Sequence, residues 1–173
     1  MRFLRSHVFA MQVQFEDIDA GGYVHHPRYL LFAERARYAA LQEIDFGFER
    51  QLRENQTFVV AETMSRYVKP LSMGQRIWVV TRTVACRKSS IKVFQAIYTS
   101  EPSTNELETL GDAVFAYADL AFSLQIRFVF LNLSGPRVIE IPSESRAMLE
   151  IPGEEFFCAS PERRDVRLLQ WAS

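Results

Sequence analysis

Residues 7–15, His7-Val-Phe-Ala-Met-Gln-Val-Gln-Phe15, end in an alternation that sets Met11, Val13 and Phe15 on one face and Gln12 and Gln14 on the other. A period of two predicts a half-buried strand. Asp17-Ile-Asp-Ala-Gly-Gly22 then breaks the pattern, its paired glycines opening backbone angles that other residues avoid. Pro27 suits the first turn of a helix because it has no N–H to lose. From there Tyr29, Phe32, Ala33, Ala36 and Ala40 recur at helical spacing on one face, while Glu34, Arg35 and Gln42 lie off it. The spacing predicts a helix over about 27–44, ending before Asp45 and Gly47.

Strand patterns follow at roughly 57–68, 76–86 and 90–100, with one or two more between 108 and 133. Arg87-Lys-Ser-Ser90, Glu101-Pro-Ser-Thr-Asn105 and Ser134-Gly-Pro136 read as turns, the last leading to a short strand that ends at Pro142. A final helix is expected from Ser160-Pro161-Glu162, with serine as cap and proline at the first position. One strand, one long helix and then a run of strands is an α+β order. The helix must bury its apolar face, and the antiparallel sheet is the large surface on offer.

The chain of 173 residues suits one domain, and 48% hydrophobic content supports a sizeable core. Fourteen Phe and six Tyr fit a core borne largely by strands. A formal net charge of −1 gives no reason to expect a nucleic-acid partner. Two cysteines, Cys86 and Cys158, are too few for a disulfide framework and point to a reducing compartment. The apolar patch Val8–Met11 is too short for a signal peptide, and the longest apolar segment, 113–133, is broken by Asp119, Gln125 and Arg127. No membrane span and a cytoplasmic location are therefore expected.

Chemistry concentrates just before the long helix, where Asp17, Asp19, Gly21, Gly22, His25 and His26 fall within ten residues. A helix N-terminus exposes unpaired N–H groups and the positive end of its dipole, which stabilise an oxyanion. A carboxylate beside such donors suits acyl transfer, attacking a carbonyl or activating water. Asp19 lies nearer the helix start than Asp17 and is favoured on position. Asp and Gly are also ordinary turn formers, and that plainer reading stands beside the chemical one. A metal reading is disfavoured, because adjacent histidines diverge on most backbones and no third histidine is near.

The segment Phe15-Glu-Asp-Ile-Asp-Ala-Gly-Gly-Tyr-Val-His-His-Pro-Arg-Tyr29, followed by Phe32-Ala-Glu-Arg-Ala-Arg37, resembles the signature of the 4-hydroxybenzoyl-CoA thioesterase family, and within it the YbgC branch. Tyr67-Val-Lys-Pro70, the Arg87–Ser90 turn and Gly135-Pro-Arg137 ahead of Ile141-Pro142 extend the resemblance over about residues 8–142.

The resemblance implies a hotdog fold, an antiparallel sheet wrapped around one long helix, and hydrolysis of an acyl-CoA or acyl-carrier-protein thioester to the free acid. It implies no metal or other cofactor, CoA being part of the substrate. It makes Asp19 the catalytic carboxylate, as nucleophile or as general base, and the His26 backbone N–H the oxyanion donor. Glu34 matches an acidic position that lines the site or orients water; a helix-surface pairing with Arg37 is the plainer alternative. Gly22, His25 and Tyr29 would line the substrate site, with His25 standing where an aromatic is usual. The cations and hydroxyls of Arg87, Lys88, Ser89 and Ser90 would meet the CoA phosphates, with Arg66 and Lys69 as weaker candidates. A homodimer or homotetramer with sites at the dimer interface is implied as well. The domain is expected over 1–142, with an insertion within about 101–133 and a C-terminal extension at 143–173. Rival readings are dehydration of a hydroxyacyl thioester and a non-catalytic acyl-carrier or envelope-complex binding module.

Overall fold

The computed structural model describes residues 6–103 and 119–149. Strand β1 (His7–Gln12) leads through a 3-10 turn (Phe15–Asp17) to helix α1 (His26–Glu43) and a short α2 (Phe48–Arg53). Strands β2 (Gln56–Tyr67), β3 (Arg76–Cys86), β4 (Ser90–Tyr98), β5 (Leu120–Asn132) and β6 (Arg137–Val138) follow, and α3 (Ser143–Leu149) comes last. All pairings are antiparallel, in the order β1-β3-β4-β5-β2, with β6 on β5. The α+β order read from the sequence is the order observed.

Helix α1 buries the five residues its periodicity selects, Tyr29, Phe32, Ala33, Ala36 and Ala40. They pack with Ile77 and Val79 of β3, Ile91, Val93 and Ile97 of β4, and Phe122 to Phe130 of β5 in one apolar core. Three fully buried alanines bring the helix backbone close to the sheet. Enlarging Ala36 to leucine would overpack that contact at a cost of about 1–3 kcal/mol. The helix ends where Asp45 takes a left-handed φ of 57°, a conformation Asp tolerates better than most residues.

Phe15, expected on the buried face with Met11 and Val13, is 83% exposed. Pairing with β3 stops at Gln12, and the 3-10 turn re-aims the chain: the Asp17 N–H donates to the Gln14 carbonyl, and the Gln14 N–H to Asp17 Oδ2. Val13 stays in the core. Within the segment expected to hold an insertion, Leu120–Asn132 forms β5, paired with β4 on one side and β2 on the other. The remainder of that segment at 104–118 lies outside the described residues, as does the helix expected from Ser160. Among the described residues, no helix is long and apolar enough to cross a membrane.

Candidate active site

The chain between β1 and α1 is a closed turn built by its own polar groups. The Asp19 N–H donates to the Tyr23 carbonyl at 2.9 Å, and the Gly22 N–H to the Asp19 carbonyl at 3.0 Å. Asp19 Oδ1 accepts the Gly21 N–H at 2.8 Å, the local bond that Asp makes readily in turns. Gly22 carries φ +82°, which a β-carbon would strain. A Cβ on Gly21 would stand 3.1 Å from Asp19 Oδ1, so its hydrogen is what lets the carboxylate fold over the turn.

The two aspartates differ in kind. Asp17 is 1% exposed; its side chain accepts the Gln14 N–H at 2.9 Å, faces Arg28 Nε at 3.7 Å, and its carbonyl takes the His25 N–H at 2.8 Å. It knits the turn to the helix start. The Asp19 side chain is 41% exposed, with Oδ2 3.9 Å from His25 Nδ1, and remains open to a reactant. His25 caps α1 in a non-helical conformation, and His26 is the first helical residue. The His26 N–H therefore lies in the turn where helix geometry supplies no internal acceptor.

Tyr67, at the end of β2, closes the other side. Its hydroxyl donates to the His26 carbonyl at 3.2 Å, and its ring meets His26 edge-on at 6.4 Å and Tyr29 at 5.3 Å. The buried Tyr29 hydroxyl accepts the Leu71 N–H at 3.1 Å and reaches the Lys69 carbonyl at 3.4 Å. Burial pushes the Tyr29 phenol above its usual pKa, opposed by the Leu71 bond and reinforced by the charge of Asp19. Tyr67 was read only as part of a strand motif; its place at the β2 terminus, opposite a helix start, was the signal. Among the described residues, no three His, Cys, Asp or Glu side chains group as metal ligands.

Asp19, Gly22, His25, His26 and Tyr29 thus gather at one end of α1. Glu34 lies two turns further along, exposed on the wall of a separate cavity and not paired with Arg37, whose Nη1 turns to Gln95 instead. The Arg87–Ser90 turn is not brought to Asp19 within one chain. Gln12, before the Asp19 loop, pairs with Arg76 at the start of β3, whereas Arg87 follows the end of that strand. The 11 residues of β3 separate them by roughly 35 Å. The turn is also tied down: Ile141 N–H donates to the Lys88 carbonyl at 2.8 Å, Phe130 N–H to the Ser89 carbonyl at 2.9 Å, and Lys88 pairs with Glu140. Arg66 and Lys69, the weaker candidates, flank Tyr67 beside the site.

The chain thus combines one antiparallel sheet packed on a long helix with a half-exposed carboxylate beside the N-terminus of that helix. A family model of the Thioesterase-like superfamily matches residues 13–149, and the chain belongs to that superfamily. The acyl-CoA thioesterase YbgC of Helicobacter pylori is 30% identical over 141 residues, 80% of this chain and 96% of that protein. The acyl-CoA thioester hydrolase YbgC of Escherichia coli O6:H1 is 33% identical over 101 residues, 58% of this chain and 75% of its own. The crystal structure of a 1,4-dihydroxy-2-naphthoyl-CoA thioesterase from Synechocystis superposes with a TM-score of 0.69 at 14% identity, covering 83% of this chain and 95% of that one. The fold is the hotdog fold, and the family signature read at residues 15–37 falls on the β1–α1 loop and the first two thirds of α1.

Proposed function

We propose that this chain hydrolyses acyl-CoA to the free acid and CoA, using the Asp19 carboxylate and the first-turn N–H of His26. The observation that carries the reading is the pairing of a half-exposed carboxylate, held by the Gly21 N–H, with an open helix N-terminus. Two routes use the same parts. Asp19 takes a proton from water, whose oxygen adds to the thioester carbon, or Asp19 adds directly and water cleaves the resulting anhydride. In both, the carbonyl oxygen gains negative charge facing His26 N–H, the C–S bond breaks, and the CoA thiolate leaves to be protonated. No metal or further cofactor takes part in either route.

Oligomerisation completes this reading. Strand β2 is a sheet edge 12 residues long, exposed at Val59, Val60 and Met64, and it ends at Tyr67 in the site. Such an edge invites a second copy. In a homodimer joined there, the Arg87–Ser90 turn would serve the CoA bound to the other protomer, while Arg66 and Lys69 remain candidate cations in cis.

The test is thiol release from a panel of acyl-CoAs. Asp19→Asn is expected to reduce kcat by at least 100-fold on the preferred substrate without lowering the melting temperature. Equal turnover by the variant would overturn the mechanism. Absence of turnover in wild type, with binding of an acyl carrier, would favour the binding-module reading.

A further inference from the structure

A cavity of about 230 Å³ opens between α1 and the sheet, lined by Glu34, Arg37 and Tyr38 of α1 and by Thr81 and Thr83 of β3. One water needs only about 10–15 Å³, so the space suits a small organic group. Arg37 lies 11 residues beyond His26, roughly 16 Å along the helix at ~1.5 Å per residue. The cavity is therefore distinct from the Asp19 turn.

Its wall is unusual in charge. The Arg37 guanidinium sits over the Phe128 ring at 5.4 Å and donates from Nη1 to Gln95 Oε1 at 2.6 Å. Gln95 is fully buried, and its amide nitrogen donates to the Ala33 carbonyl and to Thr81 Oγ1, both at 2.8 Å, which aims Oε1 at Arg37. Gln95 is neutral. Among the described residues no carboxylate comes within ion-pairing distance of Arg37, so a desolvated cation faces the cavity with most of its five donors uncommitted. Burial pulls its pKa down to about 10, against the opposing effect of Glu34. Beside it Thr83, 3% exposed, carries a buried hydroxyl with no partner among the described residues. A buried donor left unmatched costs about 1–3 kcal/mol, so an acceptor brought into the cavity beside it would be favoured.

We propose that this cavity is a carboxylate-binding site, with Arg37 as its charged anchor and Thr83 as a hydroxyl donor. The planar guanidinium fork matches two carboxylate oxygens, which neutral Gln95 cannot replace. The apolar wall of Phe58, Ile91 and Val93 would hold the ligand's carbon body. Glu34 is the acidic group in the wall, and its exposure at the mouth leaves it screened by water. Two sources share this chemistry: a free carboxylic acid, or the far carboxyl of an acyl group reaching along α1. Only the second rests on the thioesterase reading.

The full-length protein is titrated with benzoate by calorimetry, and kcat/KM is compared for dodecanoyl-CoA and dodecanedioyl-CoA. Saturable benzoate binding identifies the free acid; a preference for dodecanedioyl-CoA identifies the acyl end. In either arm Arg37→Gln is expected to remove at least tenfold, Thr83→Val severalfold, and Glu34→Gln to tighten benzoate binding. Thr83→Val should melt no lower than wild type, since it deletes an unpartnered hydroxyl, so it reports on the site even if Arg37→Gln fails to fold. Benzoate needs no turnover, which keeps the result separate from the fate of Asp19. The proposal is overturned if benzoate does not bind and dodecanedioyl-CoA is not preferred. It is equally overturned if either Thr83→Val or a folded Arg37→Gln leaves the observed effect unchanged.

Discussion

The Tyr67 hydroxyl donates to the His26 carbonyl at 3.2 Å, so the end of β2 grips the first turn of the helix, which carries the proposed oxyanion donor. Tyr67→Phe keeps the ring contacts with Tyr29 and Phe122 and removes only this bond. A bond of this kind contributes about 0.5–1.5 kcal/mol. The expected result is a small fall in melting temperature and a severalfold drop in kcat with KM little changed, measured by thermal melts and thiol release.

Asp17 and Asp19 should separate cleanly. Asp17→Ala leaves the Gln14 N–H and the Arg28 guanidinium without their buried partner. A loss of about 2–4 kcal/mol is expected in denaturant unfolding. Asp19→Asn should leave that transition in place, because the amide oxygen still accepts the Gly21 N–H.

Gly21→Ala tests how closely the turn hugs its carboxylate. The new methyl would stand 3.1 Å from Asp19 Oδ1 and force that side chain to shift by a few tenths of an ångström. Activity is expected to fall about tenfold or more, since small displacements of a reacting group are costly. Unfolding free energy should change by less than about 1 kcal/mol, the carboxylate being half-exposed.

Arg37 gives a pH signature with a definite sign. Burial holds its folded pKa at about 10, below the usual arginine value, so between the two the unfolded chain binds more protons. The contribution of this group to stability is present above the unfolded arginine pKa and lost as pH falls through about 10. At about 1.36 kcal/mol per unit, the penalty near neutrality is on the order of 3 kcal/mol. The wild-type unfolding free energy, relative to Arg37→Gln, is expected to rise as pH is raised from 9 to 11.

If β2 joins two copies, a charge on its exposed face should part them. Val60→Lys with Met64→Lys is expected to give a monomer by light scattering, with thiol release falling in parallel. A dimer that persists with full activity would rule out this edge as the interface.

The long helix was legible because five apolar residues repeat at 3.6-residue spacing, and β2, β3 and β4 because their runs rich in β-branched and aromatic residues reach nine residues or more. Helices α2 and α3 were not, since six or seven residues show too little periodicity to distinguish them from turns. Phe15 misled because strand alternation ends wherever pairing ends, and the 3-10 turn begins three residues after β1. The site turn was legible as a cluster within one segment. Tyr67 was not, because its role depends on the register of β2 against β5, which brings residue 67 level with Phe122 under Tyr29. Likewise the remoteness of the Arg87–Ser90 turn depends on β1 pairing only with Arg76–Thr81 while β3 runs on to Cys86.

The position of β5 between β4 and β2 has a consequence for how the chain is made. Everything that bears the site, from Val13 to Tyr67, is translated before the strand on which β2 must pair. Gln56 finds its partner in Asn132, 76 residues later. Until that strand leaves the ribosome, β2 has no partner, although β1, β3 and β4 can already pair and cover part of the apolar face of α1. Such non-local pairing slows folding. An N-terminal fragment ending at Tyr67 would carry the segment 15–37 whole, yet hold β1 and β2 without a partner strand for either.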